Sequence, residues 1–61
     1  MDSDFDEWMT LVDNAIADRG YWVDLVYQNI DVVHYVIENF NVGEDPGVVA
    51  EHIERYMEKV L

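Results

Sequence analysis

The sequence predicts an all-α domain, a small bundle of three to four amphipathic helices. Three observations carry this reading. Apolar residues recur at three- and four-residue spacing in three segments, breakers separate those segments, and residues suited to capping stand where segments begin. Sixty-one residues make one domain, near the lower limit at which a chain buries enough surface to fold unaided.

The first helix is expected over about residues 4–19. Ser3 has the chemistry of an N-cap, Asp4 and Asp6 suit the positive end of the helix dipole, and Phe5, Trp8, Met9, Val12, Ala15 and Ile16 form one stripe. Gly20 after Arg19 has the type and place of a C-terminal stop.

A second periodic segment spans 21–41, with Trp22, Leu25, Val26, Val33, Val36, Ile37 and Phe40 on one side at about 100° per residue. A single helix would put Asn29 on that apolar side. The conflict predicts a break near 29–31, with Asn29 or Asp31 capping a new helix. The density of β-branched residues from Val23 to Ile37 leaves a strand over Tyr21–Tyr27 as the alternative, though it would have no partner strand.

Asn41-Val42-Gly43-Glu44-Asp45-Pro46-Gly47 is the clear breaker cluster, and within it Asp45 then Pro46 reads as an N-cap followed by proline at the first helical position. The last helix is expected over 46–60, with Val49, Ile53, Tyr56, Met57 and Val60 as its stripe and Glu51 and Arg55 able to pair across one turn.

Composition narrows the functional classes. Fourteen carboxylates face three basic side chains, for a net charge of −11, in a chain that is 51% hydrophobic. A disordered acidic tail has such charge without the apolar content, whereas small domains usually carry a net charge of about 2 to 8. Direct binding of nucleic acid or of anionic lipid is disfavoured by repulsion. No apolar run reaches the roughly 20 residues needed to cross a bilayer, and the N-terminal Met1-Asp2-Ser3-Asp4 is acidic where a signal peptide is basic, so a cytoplasmic location is expected.

There is no cysteine, which removes disulfides and thiolate metal sites. The aromatic load of two Trp, four Tyr and two Phe exceeds what one small core covers, so self-association, most simply as a dimer, is expected. Trp8, Trp22, Phe40 and Tyr56 are the candidate core or interface residues.

Catalytic and metal chemistry find little support. Ser3 is the only serine, no glycine-rich phosphate loop or zinc spacing is present, and a helical unit of this size rarely encloses a pocket, so the chain is read as a non-enzyme without a cofactor. Asp2, Asp4, Asp6 and Asp13 imitate part of a calcium-loop spacing, but Glu7 stands where the turn glycine belongs. A solvated helix start explains the same letters. His34 lies three and four residues from Asp31 and Glu38 and reads as a surface histidine among carboxylates; His52, with Tyr56 one turn on, has less support as a site.

Asp24, Asp31 and Glu38 follow at seven-residue intervals, flanked by Tyr27 and Tyr35. On one continuous helix they would form a line with about 10 Å between neighbours. Rows of carboxylates on a rigid helix can stand in for phosphates, and tyrosines beside them add contact area at low entropic cost. These five residues are the candidate binding set. The expected partner is a basic protein, typically the nucleic-acid-binding surface of a larger one, which the chain would block. In size and acidity the chain resembles the small phage-encoded inhibitors of restriction, CRISPR and host DNA-binding proteins, a likeness of composition that rests on no motif. The competing expectation is a structural or regulatory helical dimerisation module whose acidity serves solubility or adaptation to high intracellular salt.

Overall fold

The computed structural model describes residues 3–60, and the side chains of 4–60. Four helices follow one another: α1 (Ser3–Asp18), α2 (Val23–Val26), α3 (Ile30–Asn41) and α4 (Pro46–Val60). No strand occurs among the described residues, so Tyr21–Tyr27 is not a strand. The Ser3 cap and the Asp2 end of the calcium-like run lie outside the described side chains.

Helix ends follow the local chemistry of the sequence. Gly20 takes φ +89°, a left-handed conformation that costs a residue with a Cβ. The Tyr21 N–H donates to the Ile16 carbonyl at 3.4 Å and the Gly20 N–H to that of Ala17 at 2.9 Å, the paired bonds of a Schellman stop. Arg19 Nη1 also donates to the Ala15 carbonyl at 3.1 Å. Gly43, at φ +76°, closes α3 in the same way, with Gly43 donating to Phe40 and Glu44 to Asn39, both at 3.0 Å. At the start of α4, Asp45 Oδ1 accepts from the Gly47 N–H at 2.7 Å, one residue beyond the proline that has no N–H to satisfy.

The middle segment breaks at Tyr27–Asn29, where Asn29 takes an extended conformation and its side chain accepts from the Asp31 N–H at 2.9 Å. A cap of this kind contributes about 1 kcal/mol. Its position changes which face of α3 is inside. Val32 and Val36, four residues apart, are buried, while Ile30 and Ile37 are 62% and 44% exposed. Of the predicted stripe Val36 is buried, Ile37 is turned outward and Val32 takes the inward place beside Val36, so the face is rotated by less than the roughly 100° of one residue. Restarting the helix at Ile30 resets its phase, and with apolar residues at 30, 32, 33, 36 and 37 either phase buries hydrocarbon.

The core consists of Val12 and Ile16 from α1, Val26 from α2, Val32 and Val36 from α3, and Val49, Ala50, Ile53 and Met57 from α4. α1 and α4 form the most extensive helix pair. The large aromatics sit at its margin: Phe40 meets Phe5 and Trp8 edge-on at centroid distances of 4.8 and 5.4 Å, and the Trp8 indole N–H donates to the Glu44 carbonyl at 2.8 Å. That bond ties the α3–α4 connection to α1. Trp22 is not in this core. It precedes α2 in an extended conformation with 76% of its surface exposed.

Candidate functional site: a groove beside an acidic helix face

The break that redirects α3 also divides the predicted carboxylate row. Asp24 lies on α2, whereas Asp31 and Glu38 share α3, all three exposed. No single helix carries the three residues, so the continuous line is replaced by an α3 pair about 10 Å apart along the axis, with Asp24 on a separate element. Among the described residues no group of three or more His, Cys, Asp or Glu is placed to hold a metal ion, the Asp31–His34–Glu38 trio included.

Tyr27 and Tyr35, predicted to stand beside that row as contact residues, both pack against the core. Tyr27 is half-buried, and its hydroxyl donates to Asp13 Oδ1 at 2.6 Å. Burial, the hydrogen bond to Asp13 and the Asp13 charge, in that order, push the phenol pKa well above its ordinary value of 10.0. The Tyr27 hydroxyl is thus committed to Asp13 within the fold. Because the folded protein holds this proton more tightly than the unfolded chain, its contribution to stability is complete below about pH 10 and is lost as pH rises beyond it. Circular dichroism during alkaline titration is expected to show loss of helix above about pH 10 in the wild type and a shallower pH dependence in Tyr27→Phe, which has no phenol to ionise at this site. Equal pH dependence of the two proteins would contradict this.

Tyr35 leads to a concavity between two helices. A groove of about 380 Å³ opens between α3 and α4, lined by Asp31, Val32 and Tyr35 on one side and His52, Ile53 and Tyr56 on the other. Each helix contributes a single turn. Val32 and Ile53, both buried, form its floor, and Tyr35 and Tyr56 line it from the two helices. The Tyr35 hydroxyl lies 2.6 Å from His52 Nδ1, and its pKa is raised by burial and then by the Glu44 charge. It is therefore an un-ionised phenol at neutral pH, able to donate to that nitrogen. The Tyr56 hydroxyl accepts from Asn29 Nδ2 at 3.2 Å. Asn29 thus serves twice, capping α3 with its oxygen and orienting a groove tyrosine with its nitrogen.

The structure brings together Asp31 and Tyr35 from the predicted binding set with Tyr56, predicted as core or interface, and leaves Glu38 further along α3. Sequence reading had no means of finding the Tyr35–His52 contact, which joins residues 17 apart, or the Arg19–Glu54 ion pair at 3.2 Å, which joins residues 35 apart. Only the Glu51–Arg55 pair, 2.8 Å across one turn, carried a spacing signal.

These two ion pairs shape the field. Arg19 and Arg55 are two of the three basic residues, and both are turned onto the chain's own glutamates. No described polar or charged residue is buried. The described carboxylates are consequently all at or near the surface, with little positive charge between them.

Comparison of the chain with family models, with curated proteins and with solved structures finds no match. Among the described residues no helix is long and apolar enough to cross a membrane.

Proposed function

We propose that this chain is a small acidic protein–protein interaction module that occupies a basic surface of a DNA- or RNA-binding protein and blocks it by imitating nucleic acid. The observation that carries the reading is the outward placement of the acidic groups together with the internal pairing of Arg19 and Arg55. A surface of this sign raises the association rate of a basic partner and repels nucleic acid and anionic membranes. The mimicry rests on the exposed α3 pair, Asp31 and Glu38, with Asp24 beside it, rather than on a single row. The role is a non-catalytic one that needs no cofactor, of the kind filled by phage-encoded inhibitors, and the cysteine-free chain suits the reducing cytoplasm.

Immobilised protein is expected to retain a nucleic-acid-binding protein from a plausible host lysate at low salt and to release it at about 0.5 M salt, where exposed charges are screened beyond a few ångströms. Retention that is indifferent to salt would contradict the reading.

One observation favours a second reading, a helical self-association module. Trp22, Leu25, Ile30 and Ile37 are exposed large apolar residues on α2, α3 and the residue before α2. Sedimentation of the wild type and of Trp22→Ala separates the two. A dimer that dissociates on this substitution supports self-association through that region, and a monomer throughout removes it.

A further inference from the structure

We propose that the α3–α4 groove seats an arginine side chain of the basic partner, with the guanidinium on the Asp31 carboxylate and the rings of Tyr35 and Tyr56 flanking it. This rests on the interaction-module reading and names the chemistry of its contact. Four features of the groove select that occupant.

Its volume, about 380 Å³, is near the lower end of the range for ligand pockets, and its walls are one helical turn long on each side. That suits one long side chain rather than a cofactor or a docked helix. Its floor, Val32 and Ile53, is aliphatic and matches the methylene stem of a long basic residue. Asp31 is the only carboxylate in the lining and takes part in neither described ion pair, while no lysine or arginine lines the groove. The two phenol rings complete the selection, because a planar guanidinium stacks on an aromatic face and meets a carboxylate with paired N–H donors, whereas an ammonium does neither as well. A net charge of −11 excludes an anionic occupant and draws a cationic one.

The test is a titration of the 15N-labelled whole chain, followed by amide chemical shifts, with two peptides of equal length and charge. One carries arginines and the other lysines, spaced by glycine and serine. Shifts are expected to group at Asp31, Val32, Ile53 and Tyr56, with the arginine peptide binding at least about threefold more tightly. Asp31→Asn is expected to weaken it about fivefold, and Glu58→Gln, which removes a carboxylate outside the groove, less than about twofold.

Binding of both peptides with shifts scattered over the surface, and equal losses in the two variants, would overturn the groove while leaving the acidic module standing. Equal affinity for the two peptides would overturn the choice of arginine. Failure of both peptides to bind at low salt would overturn the groove and the acidic module together. Because the shift map is read on the wild type, a folding defect in Asp31→Asn would not rescue the proposal.

Discussion

Ile16→Ala is expected to lower stability by about 3 kcal/mol, within the range for large-to-small changes at fully buried sites. Ile16 is 1% exposed and belongs to the buried cluster to which α1, α2, α3 and α4 all contribute. Among the described residues that core has nine buried side chains, five of them valine, so little neighbouring bulk is available to collapse into the space left behind. A chain of this length has a total stability of roughly 3 to 9 kcal/mol at about 0.05 to 0.15 kcal/mol per residue. The variant should therefore retain at most about two-thirds of the wild-type stability. In urea, with a slope of about 1 kcal/mol per molar for a domain this small, the midpoint should fall by about 2 to 3 M. Leu11→Ala is the control, since Leu11 is 56% exposed on the same helix and its truncation should change stability by no more than about 0.5 kcal/mol. Equal losses in the two variants would show that the α1 stripe does not face the core as described.

Reversing Asp24, Asp31 and Glu38 together to lysine should weaken partner binding by at least about a hundredfold, since like charges placed against a basic surface cost several kcal/mol. Each reversal adds two charges, taking the net charge from −11 to −5. The same arithmetic applies to Asp6, Asp18 and Glu58, which are also exposed but lie on α1 and α4. If α3 and the adjoining α2 make the contact, the first triple should lose much more than the second, with circular dichroism of both close to the wild type. Equal losses would assign binding to the overall field. No loss in either triple would favour the self-association module.

Much of the helical frame was legible because local rules determine it. Gly20, Gly43, Asn29 and the Asp45–Pro46 pair stop or start helices through bonds to residues two to five positions away, and such spacing is visible in a linear chain. The phase of α3 was not legible. Its apolar residues cover more than one face, so periodicity placed Val33, Val36 and Ile37 inward, whereas packing against α4 accompanies burial of Val36 with Val32. That arrangement left Ile37 half-exposed and brought Tyr35 to the groove.

The candidate site was legible in its ingredients and not in its arrangement. Asp31 and Tyr35 stood out as an acid and an aromatic on one helix edge, but their partners His52 and Ile53 come from α4, beyond any spacing rule. Trp22 shows the converse. Its type and its place in an apolar pattern predicted a core or interface residue, and its extended conformation ahead of the short α2 takes it out of the core. Tyr27 was drawn inward by Asp13, fourteen residues earlier.

The decisive measurement is displacement of labelled DNA from the protein captured at low salt, followed by fluorescence anisotropy as this chain is added. If its carboxylates occupy the nucleic-acid surface of that partner, the DNA is released in full, and more of the chain is needed for the triple reversal of Asp24, Asp31 and Glu38. A ternary complex in which the DNA stays bound would contradict nucleic-acid mimicry outright.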